Sequence, residues 1–208
     1  MRLPDAKEAG LIPQRILFAE KMKDLLDSGR AIIYADESTS KATARPGKTW
    51  MRGHRLVAPR NLQQLKSVTV YGAICKAVPR PVFFTSHTTN AEEFGRFIDY
   101  LKDKTSHLQR PVLVLDNHPA HRTGINMAKM LSHFEVVFQP AYSSEANAQE
   151  TVWAQVKALY LQKLYRRTTN LTTQRAFDVF LSRFLEKAGP KVDPIKIVKA
   201  PNWWLHAH

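Results

Sequence analysis

Asp36, Asp116 and Glu150 are the residues whose surroundings suggest chemistry. Asp36 follows the apolar run AIIYA (31–35), Asp116 follows VLVL (112–115), and Glu150 lies within YSSEANAQETVW (142–153). An ionised carboxylate at the rim of a core is costly unless a cation, a hydrogen-bond network or a reaction requires it. Taken singly, each acid could simply cap a helix or pair with a surface arginine. Taken together, three carboxylates repel one another and call for cations between them. Oxygen ligands with open positions suit Mg2+ or Mn2+, which keep waters and accept phosphate oxygens. Two such ions about 4 Å apart can activate an attacking oxygen and stabilise a leaving one in phosphodiester displacement. Asn117, His118 and His121 follow Asp116 closely. The histidine pair resembles zinc ligands, but no cysteine or suitably placed third ligand accompanies it. His121 instead reads as a helper that hydrogen-bonds near the metal or the scissile phosphate, with a purely structural role as the alternative.

The elements that must position these groups follow from periodicity. Residues 14–28 carry apolar side chains at helical spacing, and 31–36 form a short β-rich run stopping on Asp36. Residues 67–77 and 82–85 read as strands, separated by a Pro-Arg-Pro break. Asn90 is placed to cap a helix over AEEFGRFIDYLKDK, in which Phe94, Phe97, Ile98 and Leu101 make one stripe. A strand at 112–115, a helix from Pro119 to about His133 and a strand at 135–138 come next. Ser143 or Ser144 could cap a long helix reaching about Arg166, and a last helix runs from Thr172 to about Lys187. A start near Glu145 would put Asn147, Glu150, Ala154 and Lys157 on one exposed face, opposite a core stripe of Val152, Val156, Leu159 and Tyr160. Cys75 and Trp153 read as core. Strands first, then alternating strands and helices, imply an α/β fold: a mixed sheet with helices on its faces. If the two strands ending in Asp36 and Asp116 are neighbours, their carboxylates sit side by side at the end of the sheet where ligands gather.

The chain has 208 residues and a formal net charge of +13. No acid occurs between Glu37 and Glu92, a stretch that includes Arg45, Lys48, Arg52, Arg55 and Arg60. A second acid-free stretch, from Glu150 to Asp178, includes Lys157. Such blocks suit a polyanionic partner, because each neutralised phosphate releases counterions. Residues 45–60 contain Pro46, Gly47, Gly53 and Pro59 and read as an exposed basic hairpin or loop, on which Trp50 and Arg52 could touch DNA, with a Trp50 packed on the sheet as the alternative. Trp203 and Trp204 read as a docking tail, and His206 and His208 as a frayed terminus. A single cysteine, no membrane-length apolar run and no signal-peptide core suggest an intracellular protein.

In combination, DES (36–38), TWMRG (49–53), LDNHPAH (115–121) and YSSEANAQETVW (142–153) resemble the catalytic domain of DDE transposases of the mariner and insertion-sequence superfamily. The resemblance implies a ribonuclease-H-like fold, with Asp36, Asp116 and Glu150 as catalytic residues holding two Mg2+ or Mn2+ ions and Asn117 and His121 in support. It also implies cleavage of transposon ends and transfer of the freed 3′-hydroxyl to target DNA, in a homodimer assembled on DNA within the cytoplasm, nucleoid or nucleus. The spacing from Asp116 to Glu150, 150 − 116 = 34 positions, is similar to that of the superfamily. The chain departs from the pattern at Ser144, where the family usually has proline, and at Ala148-Gln149, which replaces Pro-Ile. The expected organisation is a helical lead-in over 1–30, a catalytic domain over 31–190 and a tail over 191–208. Thirty residues are too few for a helix-turn-helix module, so the chain reads as a separately encoded catalytic half with a helix-turn-helix protein as partner, as a truncated reading frame, or as a domesticated derivative. The competing readings are a ribonuclease-H-like nuclease and a DNA-binding or regulatory remnant that no longer cleaves.

Overall fold

The computed structural model describes residues 10–42, 65–141, 143, 146–167, 171 and 173–192. Strands β1 (Ile32–Ser40), β2 (Val68–Cys75), β3 (Val82–Ser86), β4 (Val112–Leu115) and β5 (Glu135–Phe138) form one sheet in the order β3-β2-β1-β4-β5. The first three pair antiparallel, whereas β4 joins β1, and β5 joins β4, in parallel. Parallel neighbours need crossover connections. These are the helices α2 (Ala91–Lys104), between β3 and β4, and α3 (Gly124–Leu131), between β4 and β5. Helices α1 (Ile12–Asp27), α4 (Ala148–Arg167) and α5 (Gln174–Ala188) complete the domain. Among the described residues, no helix is long and apolar enough to cross a membrane.

Alternation along the strands sends side chains to two cores, one on each face. Ile32 and Tyr34 of β1 and Val112 and Val114 of β4 pack with Phe18 and Met22 of α1, Val152 and Trp153 of α4, and Phe177 of α5. Ile33, Ala35, Leu113 and Leu115 point the other way, into the Phe94, Phe97, Ile98 and Leu101 stripe of α2. That stripe is at most 1% exposed, and each such side chain contributes about 1.5–3 kcal/mol by burial. The cap expected at Asn90 is present, accepting the Glu93 N–H at 2.8 Å.

Three expectations change. First, β1 does not stop at Asp36 but continues to Ser40, because its antiparallel pairing with β2 persists to Ser40↔Val68. Second, the expected helix from Pro119 to His133 is broken. A 3-10 turn, Pro119–Arg122, ends at the extended Thr123, whose side chain caps α3 by accepting the Asn126 N–H. Third, α4 starts at Ala148 rather than near Glu145, and Asn147 takes the capping role by accepting the Gln149 N–H at 3.0 Å. Ser143 instead accepts a hydrogen bond from Arg15 Nε of α1 at 3.0 Å.

Candidate active site

The parallel pairing of β1 and β4 ends at Tyr34↔Val114, and Asp36 and Asp116 each lie two residues beyond that rung. Both therefore project past the end of β4 on the face covered by α4. There β1 still has β2 on one side but, among the described residues, no strand on the other, which opens a crevice at the carboxyl end of the parallel pair. Helix α4 is held against this crevice at its first turn. Asn147, 4% exposed and so not on the outer face expected for it, donates from Nδ2 to the Ala35 carbonyl at 3.0 Å. Trp153, one turn along, donates from Nε1 to Asp36 Oδ2 at 2.8 Å.

The close approach depends on Gly72, the residue paired with Asp36 on β2. A Cβ there would lie 2.4 Å from Gln149 Nε2 and 2.7 Å from the Trp153 ring. Any larger residue would push α4 outward, carrying Trp153 and Glu150 away from Asp36. The result is a cleft of about 280 Å3 whose lining includes Asp36, Asp116, Asn117, Gln139, Asn147 and Glu150. A larger groove of about 530 Å3 lies under β3 and α5, but among the described residues its lining contains only one acid, Glu186.

Burial, then the charges of Glu150 and Glu37, push the Asp36 carboxyl up to about 7 against the pull of the Trp153 hydrogen bond. Asp116 behaves oppositely. A hydrogen bond from His121 holds its pKa below the ordinary carboxylate value, against the effect of partial burial. His121 is fully buried and lies between two carboxylates, with Nδ1 3.0 Å from Asp116 Oδ1 and Nε2 2.6 Å from Glu37 Oε1. Burial opposes charge on the ring, but the bonds to Asp116 and Glu37 outweigh it and raise its pKa to about 9. The ring also packs on Phe94, with centroids 4.1 Å apart. Asn117 donates to the Gln139 carbonyl and accepts from Arg122, which ties the turn after β4 to the end of β5.

The chemistry of this lining fits a hard divalent cation. Carboxylate and amide oxygens line the cleft beside His118 and Ser143, and among the described residues the charges that act on Asp36 are the repelling ones of Glu150 and Glu37. The acids line the cleft without closing on a single point: among the described residues, no three histidine, cysteine or acidic side chains do so.

Lys157 is exposed on α4, two turns beyond Glu150. Arg45, Lys48, Trp50, Arg52, Arg55 and Arg60 lie outside the described residues, as do Trp203, Trp204, His206 and His208. Sequence reasoning passed over Glu37, Gly72, Gln139 and the polar role of Trp153. The available signals were an acid directly after Asp36 and a tryptophan three residues after Glu150, where an indole N–H can face back along the helix.

The sequence profile of the DDE superfamily endonucleases matches residues 31–172, which include all three acids. No curated protein matches the sequence. Among solved structures, the fold is similar to the Mos1 transposase catalytic domain with raltegravir and Mg. The TM-score is 0.63 at 13% identity, over 99% of this chain and 94% of that one. Similarity to the mariner Mos1 paired end complex with Mg gives a TM-score of 0.66 at 15% identity, over 99% of this chain but 63% of the other. For the Mos1 strand transfer complex the TM-score is 0.60 at 15% identity, over 92% and 58%. The mixed sheet flanked by helices is thus the ribonuclease-H-like arrangement expected. Its profile match covers well over half of the sequence, and this chain belongs to the DDE superfamily endonucleases.

Proposed function

We propose that this chain is the catalytic domain of a DNA transposase, hydrolysing phosphodiester bonds at transposon ends and transferring the freed 3′-hydroxyl to target DNA. The observation that carries this reading is the meeting of Asp36, Asp116 and Glu150, from β1, the end of β4 and α4, on one cleft. A pair of Mg2+ or Mn2+ ions, when bound, would supply the positive charge that activates the attacking oxygen and stabilises the leaving one.

The chain's own residues prepare that arrangement. Trp153 orients Asp36, and His121 with the His118 N–H orients Asp116. Glu150 stands exposed on the first turn of α4, free to swing into the cleft. Gln139 Nε2 is a buried donor with no hydrogen-bond partner among the described residues, and its residue lines the same cleft, a suitable place to receive a phosphate oxygen. Duplex DNA is held by the basic residues Arg45, Lys48, Arg52, Arg55, Arg60 and Lys157 and by Trp50. A homodimer forms on the DNA, and the ends of the element are its substrate. Support comes from Mos1, solved with Mg, with Mn and in paired end complexes.

The test is nicking of duplexes carrying the element's ends, with Mg2+, Mn2+ or chelator, by the wild type and by Asp116→Asn. The expected outcome is metal-dependent nicking that Asp116→Asn abolishes while DNA binding is kept or strengthened, since one repelling charge is removed. Nicking by the variant at the wild-type rate would refute the assignment of Asp116. A wild type that binds DNA without nicking under any metal would favour the remnant reading.

A further inference from the structure

Glu37 has no place in the three-acid scheme, yet it is bound into the site from the other side of the sheet. Successive residues of a strand face opposite ways, so Asp36 looks towards α4 while Glu37 looks towards α2 and α3. Its side chain is only 18% exposed, and its Oε1 lies 2.6 Å from Nε2 of His121. The other ring nitrogen, Nδ1, is 3.0 Å from Oδ1 of Asp116. The imidazole thus passes beyond the short edge of β4 and joins an acid on one face to an acid on the other.

We infer that Glu37 is a positioning residue that, through the buried ring of His121, fixes the carboxylate of Asp116 for metal binding. This inference rests on the metal-dependent reading of the cleft. Asp116 Oδ1 accepts the His118 N–H at 3.0 Å and lies 3.0 Å from His121 Nδ1, which also reaches the Asp116 backbone carbonyl at 3.4 Å. One oxygen is thereby anchored, and Oδ2 remains for the cleft. The ring can hold that oxygen only if its own rotation is fixed. Phe94 restricts it on one side, and the Glu37 carboxylate fixes the far nitrogen. Glu37 is not itself a ligand of the cleft, because its carboxylate is engaged on the opposite face and is absent from the lining. Partners that orient ligating groups in this way typically change metal affinity by about 10–100-fold when removed.

Two substitutions separate reach from charge. Glu37→Gln keeps the length and an oxygen that accepts the Nε2–H, without the charge. Glu37→Asp keeps the charge but shortens the side chain by one methylene, so the carboxylate withdraws from the ring. Mn2+ affinity is measured on each full chain by calorimetry or electron paramagnetic resonance, with Asp116→Asn as the reference and urea unfolding as the check on folding. Glu37→Gln is expected to bind within about threefold of the wild type, and Glu37→Asp about tenfold more weakly. Saturating Mn2+ should then restore most of the Glu37→Asp nicking rate. A purely electrostatic role would reverse the order of the two variants, and a purely structural role would move the unfolding midpoint without moving Mn2+ affinity. Either result overturns the inference. If Asp116→Asn itself binds Mn2+ like the wild type, the metal-site reading has failed. If only the Glu37 variants are unchanged, the positioning role alone has failed.

Discussion

Replacing Asp36 by asparagine should make the protein more stable and abolish its activity, and the size of the stability gain follows from the site. The Asp36 carboxyl is raised from 3.8 to about 7, chiefly by burial and then by Glu150 and Glu37. At 1.36 kcal/mol per pH unit this displacement corresponds to about 4 kcal/mol. Water still reaching the cleft screens the acids from one another and lowers the expected effect to about 2–4 kcal/mol. A raised folded-state pKa contributes stability that is fully present below the unfolded value near 4 and lost as pH rises through about 7. Ionised Asp36 therefore weighs against the fold at pH 8, and asparagine removes that weight while keeping an oxygen for the Trp153 N–H. Urea unfolding in chelator should show Asp36→Asn ahead by about 2–4 kcal/mol at pH 8 and by about 1.5 kcal/mol at pH 5. Adding Mg2+ at pH 8 should stabilise the wild type and leave the variant nearly unmoved, because only the former keeps all three carboxylates. A variant equal to or less stable than the wild type at pH 8 in chelator would refute the electrostatic account.

Two other perturbations test the supporting structure and the DNA surface. Gly72→Ala places a methyl group against the Trp153 ring; overpacking of this kind costs about 1–3 kcal/mol. Its nicking rate should fall more than the stability loss explains, because α4 carries Glu150, and an unchanged rate would show that the close approach is dispensable. Arg45, Lys48, Arg52 and Arg55 changed together to alanine should weaken binding to two unrelated duplexes alike and flatten the salt dependence by a slope of about 3–4. Strong discrimination between the duplexes would instead reveal a sequence-reading element on this chain.

The large elements were legible because their patterns are strong. The α2 stripe repeats at helical spacing and has a capping asparagine, and β4 is four consecutive apolar residues, as a parallel strand buried on both faces should be. The end of β1 was not legible. After Asp36 the sequence turns polar, and nothing local says that Glu37 to Ser40 will be held by hydrogen bonds to Tyr71 through Val68. The start of α4 was obscured for a related reason. Ser143, Ser144 and Asn147 are all competent caps, and the choice of Asn147 depends on a bond to the Ala35 carbonyl 112 positions away. Trp153 was legible as core and illegible as a donor, since its partner is 117 positions distant. Acids could be found from their neighbours in the chain, whereas the groups that orient them are neighbours only in space.

The overrun of β1 beyond β4 accounts for how two adjacent acids on opposite faces both come near Asp116, Asp36 in the cleft and Glu37 through the His121 ring. Had β4 continued alongside, the edge next to Asp36 and Glu37 would be occupied by backbone, and no side chain could cross between the faces. With β4 ending at Leu115, the turn that follows folds His121 into the vacated edge, where it meets Glu37 on one face and Asp116 on the other. The same ending exposes Asp36 to the first turn of α4 and hence to Glu150. Lengthening β4 by even one rung would gain a pair of sheet hydrogen bonds, each worth about 1 kcal/mol, while closing the crevice. A short β4 next to a long β1 is therefore a structural requirement of this site. It places the mutual repulsion of Asp36, Glu37 and Glu150 where a divalent cation would relieve it.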